Sequence, residues 1–195
     1  VDVPDSAMVI NSDTTQVNDI VFPGVFDGTV VDTNTYTFPT EAQSWAGFAN
    51  QDTTIYPFSF PGGGEITFTG ATAGTVDTVD VYFRFEYQPY PDVEPSYNTA
   101  AVTVSGTAEA SYSVEIPAQG ANTYSSFLLY VTTLDAPVTL TNVTVTSGAG
   151  VVFSGAFGGA VVDGNTYTFP TGAEAWAGFA NEDATIYPFS FPGGG

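Results

Sequence analysis

The chain has 195 residues, and its 21 carboxylates face a single cation, Arg84, for a formal net charge of −20. It has no histidine and no cysteine, which excludes a disulfide framework, thiolate metal sites, the Ser/His/Asp arrangement and most zinc centres. The charge repels nucleic acid, anionic lipid and anionic polysaccharide, and no apolar run approaches the roughly 18 residues of a membrane span. Only 11% of residues are charged, so this is not a disordered acidic tail.

Residues 1–19 (VDVPDSAMVINSDTTQVND) read as an acidic linker or tail with one short strand over 7–10. Residues 35–38 alternate, with Tyr36 and Phe38 on one face. The aromatic run 55–60 is interrupted by Pro57, which predicts an edge or bulged strand, and glycines at 62–64 make a turn. Ile66 and Phe68 share a face in the next strand. The run 79–87 is the strongest strand: Val79, Val81, Phe83, Phe85 and Tyr87 fall on one face, and Asp80, Tyr82, Arg84 and Glu86 on the other. Residues 88–98 form a loop stiffened by Pro89, Pro91 and Pro95. Strands follow at 102–104 and 112–116, then a long apolar strand at 123–133 that crosses the core. The closing strand, 138–145, slips phase near Asn142, which predicts a bulge. About eight antiparallel strands in roughly 130 residues predict an all-β, two-sheet antiparallel β-sandwich, a jelly roll, with an immunoglobulin-like sandwich as the alternative.

Residues 20–64 recur at 151–195 with a constant offset of 131 and no gap, and 34 of the 45 positions are identical. That period matches a whole small domain rather than a solenoid repeat. The module therefore occupies 20–147, and 151–195 is the N-terminal third of a second copy. Such a third exposes unpaired strand edges, so the expectation is that 151–195 is disordered, clipped from a complete copy, or completed from elsewhere by strand swapping or self-association.

Several constellations could carry chemistry. On the open face of 79–87, Tyr82, Arg84 and Glu86 stand at intervals of about 7 Å, an aromatic, a guanidinium and a carboxylate. This suits a sugar, whose C–H face packs on the ring and whose hydroxyls bond the charged groups. The alternative is a purely structural pairing of Arg84 with Glu86 or Asp80. Trp45 and Trp176, one per copy in SWAGF and AWAGF, are either stacking platforms or core residues. The proline-stiffened loop presents Tyr90 and Tyr97 at low entropic cost. No cofactor is required. A structural calcium would draw oxygens from several loops, with Asp32, Asn34, Asp92 and Glu94 as candidates, because no stretch has EF-hand spacing. No carboxylate pair has a fixed catalytic separation, so no enzyme activity is expected.

The strings TYTFP…WAGFAN…YPFSFPGGGEITFTG, VYFRFEYQPYPDVEPSYNT and YSVEIPAQGANTYSSFLLYV…VTLTNVTVT resemble non-catalytic tandem modules of secreted marine bacterial polysaccharide hydrolases, of laminarinase and agarase type. The final VTLTNVTVT is similar to the closing strand of family 4 and 22 carbohydrate-binding modules, which are jelly rolls. The resemblance implies a secreted, extracellular module that targets an enzyme to a neutral glycan, a β-glucan such as laminarin or an agar-type galactan. It points to Trp45 and to the Tyr82/Arg84/Glu86 face. The competing expectation is a structural repeat of an extracellular adhesin, sheath or filament.

Overall fold

The computed structural model describes residues 6–9, 15–91, 93–148, 155–163 and 166–180. The strands in chain order are β1 (Ser6–Val9), β2 (Thr15–Ile20), β3 (Gly24–Phe26), β4 (Val30–Asp32), β5 (Thr35–Thr37), β6 (Gly47–Ala49), β7 (Phe58–Ser59), β8 (Gly64–Thr72), β9 (Thr78–Glu86) and β10 (Ser96–Asn98). They continue as β11 (Val102–Ser105), β12 (Ala110–Ile116), β13 (Thr123–Tyr124), β14 (Ser126–Val131), β15 (Val138–Ser147), β16 (Gly155–Phe157), β17 (Val161–Asp163), β18 (Thr166–Phe169) and β19 (Gly178–Ala180). They fall into two compact units, one spanning 14–148 and one built from the described residues of 1–13 and 149–195.

The larger unit is a two-sheet β-sandwich. One sheet runs β10-β9-β14-β6-β3 with β11 also on β9, and the other runs β12-β8-β15-β5-β4 with β2 also on β15. The ladders are antiparallel. The chain crosses between sheets from β2 to β3, β3 to β4, β5 to β6, β6 past β7 to β8, β8 to β9, β11 to β12, β12 past β13 to β14, and β14 to β15, which is jelly-roll winding.

Alternation along β9 builds the core. Val79, Val81, Phe83 and Phe85 are fully buried, and each contributes about 1.5–3 kcal/mol by leaving water. They meet a layer of rings from both sheets. Phe85 stacks on Phe127 at 4.3 Å between centroids, and Phe60 meets Phe85 edge-on at 4.9 Å. Tyr36 is buried with its hydroxyl accepting from the Phe22 N–H at 3.2 Å. Burial pushes that phenol's pKa up, partly offset by the bond.

The closing strand carries the bulge. Its pairing with β8 shifts between Thr141 and Thr144, and Asn142 takes a positive φ of 52°. Leu140 and Val143, three residues apart, both stay buried because the extra residue restores the alternation.

Four local expectations are corrected. Residues 15–19 are not linker: with Ile20 they form β2, which pairs with β15 and buries Ile20. The run 55–60 begins as a 3-10 turn at Thr53–Ile55, capped by Asp52, and only Phe58–Ser59 is strand. The span 123–133 is divided into β13 and β14, because the Ser125 N–H turns to the Glu86 and Tyr87 carbonyls. Tyr87 leaves the core and is 45% exposed, since its N–H bonds Val93 and Pro95 across the returning loop.

In the second unit the repeat refolds pairwise. Phe157 pairs with Gly178 as Phe26 does with Gly47, and Val162 with Tyr167 as Val31 does with Tyr36. β1 lies on the other edge of β18.

Candidate functional site

The register of β14 against β9 sets Tyr130 opposite Tyr82, Leu128 opposite Arg84 and Ser126 opposite Glu86. Neighbours in a strand point to opposite faces, so with Phe83, Phe85, Phe127 and Leu129 in the core these residues share the outer face. On the far side of β14, Leu129 pairs with Phe48, which leaves Gly47 beside Tyr130, and β3 brings Phe26 to Gly47. One row across four strands therefore reads Phe26, Gly47, Tyr130, Tyr82.

The rings of this row pack against one another. Tyr82 and Tyr130 are parallel within 7° at 4.9 Å, and Phe26 stands edge-on to Tyr130 at 6.1 Å. Gly47 is the gap over which two rings close: a Cβ there would lie 2.9 Å from Phe26 Cζ and from Tyr130 Cε1. Burial, reinforced by Tyr82 and Glu86, pushes the Tyr130 phenol up to about 12. Burial also raises Tyr82, against the opposing pull of Arg84. Both rings therefore stay neutral donors over the physiological range.

Beside the rings lies a polar network. Arg84 Nε donates to Glu86 Oε1 at 2.7 Å, and Arg84 Nη1 donates to Asn98 Oδ1 at 2.9 Å. Ser126 Oγ donates to the other Glu86 oxygen at 3.3 Å. The Glu86 side chain is only 9% exposed and that of Arg84 22%. The guanidinium thus neutralises a buried carboxylate while keeping part of itself at the surface. A guanidinium has five N–H donors, and among the described residues two of them are engaged.

The structure brings Tyr82, Arg84 and Glu86 together. The other sequence candidates lie elsewhere. Trp45 sits in the turn before β6, 60% exposed, with its indole N–H donating to Asp27 Oδ2 at 2.8 Å. Asp27 directly follows Phe26, so the indole is tethered at the Phe26 end of the row. Tyr90 stands 89% exposed on its loop. Tyr97 is not presented by that loop: it pairs with Phe85 in β10 and packs against the core. Trp176 is 67% exposed in the second unit and parallel to Phe157 at 6.4 Å.

The described calcium candidates lie on different sheets. Asp32 ends β4 and Asn34 follows it in the hairpin of one sheet, while Glu94 precedes β10 of the other and accepts from Ser96. Asp92 lies outside the described residues. Among the described residues no group of three or more His, Cys, Asp or Glu side chains forms.

Phe26, Gly47, Asn98 and Tyr130 escaped the sequence reading. Tyr130 was hidden because 123–133 looks uniformly apolar. The available signal was the two-residue spacing of Ser126, Leu128 and Tyr130, one strand face interleaved with core residues Phe127 and Leu129.

No protein-family model matches the chain, and no curated protein matches it. Among solved structures, it is similar to the CBM22-1 xylan-binding domain of Paenibacillus barcinonensis Xyn10C, with 16% identity, a TM-score of 0.49, and 73% of this chain and 100% of that one covered. It is also similar to CBM29_1, a family 29 carbohydrate-binding module from Piromyces equi, with 13% identity, a TM-score of 0.44, and 75% and 93% covered. Identities this low carry no residue of theirs over to this chain. No described helix is long and apolar enough to cross a membrane.

Proposed function

We propose that this chain is a non-catalytic carbohydrate-binding module whose ligand is a neutral polysaccharide, a β-glucan such as laminarin or an agar-type galactan. The observation that carries this reading is the parallel Tyr82–Tyr130 pair beside the Arg84–Glu86–Asn98 network on one outer sheet face. Sugar C–H faces pack on such rings, while the unengaged guanidinium donors and the phenol hydroxyls address ring hydroxyls. A strand-borne site is preformed, so little is lost in ordering it on binding. The acidic surface disfavours anionic polymers, which leaves neutral ones. In this reading the module is extracellular and holds a polysaccharide-degrading enzyme on its substrate.

The test is affinity electrophoresis in gels containing laminarin, agarose, xylan or mannan. Retardation in at least one gel is expected, and Tyr82→Ala should remove it while the circular dichroism spectrum stays that of the parent chain. Unchanged mobility in every gel would overturn the proposal.

A further inference from the structure

The two copies share one strand environment but fill it from different parts of the chain. In the first, β5 has β4 on one edge and the closing strand β15 on the other, with Val138 opposite Tyr36 and Thr139 opposite Thr35. In the second, β18 has β17 on one edge and β1 on the other, with Met8 opposite Tyr167 and Val9 opposite Thr166. Tyr167 and Thr166 are the repeat counterparts of Tyr36 and Thr35 at the offset of 131. Met8 and Val9 therefore occupy the positions of Val138 and Thr139, in the same antiparallel register. The sequence agrees: Asp5-Ser6-Ala7-Met8-Val9-Ile10 runs parallel to Asp135-Ala136-Pro137-Val138-Thr139-Leu140.

We infer that residues 6–9 are a closing strand of this module, and that the edge of 166–169 opposite β17 is the slot it fills within the same chain. The physical need is plain. A two-stranded hairpin such as β17–β18 is marginal in water, and a third strand with an apolar face makes it stable. The added strand also covers the N–H and C=O row that the edge of β18 would otherwise offer to other chains. Strand and slot flank the first unit in sequence, so the pairing ties the two sides of the chain together.

The chain has no cysteine, so any disulfide formed is an engineered one. Adjacent cross-strand pairs alternate between wide and narrow Cα spacing, and the narrower suits a disulfide. Two double variants cover both classes: Ala7→Cys with Thr168→Cys, and Ser6→Cys with Phe169→Cys, each pair being in register. Under mild oxidation at least one should close within the monomer, seen as faster migration without reductant and an unchanged molar mass in light scattering. The off-register pair Ser6→Cys with Thr168→Cys should close at least tenfold more slowly. Disulfide-linked dimers as the main product, no closure in either register pair, or equal closure off register would overturn the inference. Amide exchange on the unaltered chain gives an independent reading. Protection at 166–169 should fall at least tenfold when residues 1–9 are deleted, and protection that survives the deletion contradicts the assignment.

Discussion

The two copies of the repeat share 34 of 45 residues and, where described, form matching strand pairs, yet among the described residues only the first stands next to the Arg84 network. In the first copy, Phe26 and Gly47 meet Tyr130 and, through it, Tyr82 and Arg84. The second copy repeats the Phe157–Gly178 seat and the exposed tryptophan, but the chain holds no second arginine. In the first copy the repeated stretch supplies Phe26, Gly47 and Trp45, and residues 65–147 supply Tyr82, Arg84, Glu86 and Tyr130. A smaller difference lies in the turn after the phenylalanine. Asp27 carries a positive φ of 57° and binds the Trp45 N–H, whereas glycine fills the matching place at 158 with φ 65°. The first copy accepts backbone strain where the second has a glycine that feels none, and in return it fixes its indole.

The contrast can be broken most sharply at Arg84. Arg84→Ala leaves Glu86 buried without its counter-charge, which should cost about 3 kcal/mol and abolish glycan retention, read by chemical denaturation and affinity electrophoresis. Arg84→Ala combined with Glu86→Gln should recover much of the stability and none of the retention. Recovery of both would make the pair a structural device only.

The seat comes next. Gly47→Val puts methyl groups where two rings close, and overpacking of this kind costs about 1–3 kcal/mol. Retention should fall further than stability does, because the displaced rings belong to the proposed binding face. Equal proportional losses in melting and binding would separate the rings from the ligand.

Asp27→Gly converts the first copy's turn into the second's. Stability should change by less than about 1 kcal/mol, since relief of the positive φ offsets the lost hydrogen bond. Trp45 fluorescence should red-shift and retention weaken a few-fold. An unaltered emission maximum would show that Asp27 does not hold the indole.

The smallest effect is in alkali. Tyr130 is raised to about 12, above the ordinary phenol value near 10. The folded state therefore prefers the neutral phenol, and the stability this gives is complete below pH 10 and is lost as pH climbs from 10 toward 12. Absorbance titration at the tyrosinate band should show a late-ionising group that Tyr130→Phe removes.

Much of the fold was legible because alternation writes itself into sequence. The 79–86 strand, the core face of Val79 to Phe85 and the bulge at Asn142 all follow from local patterns. The Tyr82/Arg84/Glu86 face follows from the same alternation. What was not legible depends on pairing between distant strands. Tyr130 joins Tyr82 through β14–β9 register, and Phe26 joins Tyr130 through β3–β6–β14, and no local pattern fixes those registers. Tyr97 was misplaced for the same reason, since its pairing with Phe85 turns it inward. Residues 15–19 read as linker because a polar edge strand shows little periodicity until its partner is known.

The Tyr82–Tyr130 pair is the proposed seat of neutral glycan. The most direct measurement compares the parent chain with Tyr130→Ala by calorimetric titration against the polysaccharide that retards the parent most. The parent should give saturable binding that Tyr130→Ala weakens at least tenfold with its melting cooperativity intact. Equal affinity in the two chains would contradict the account.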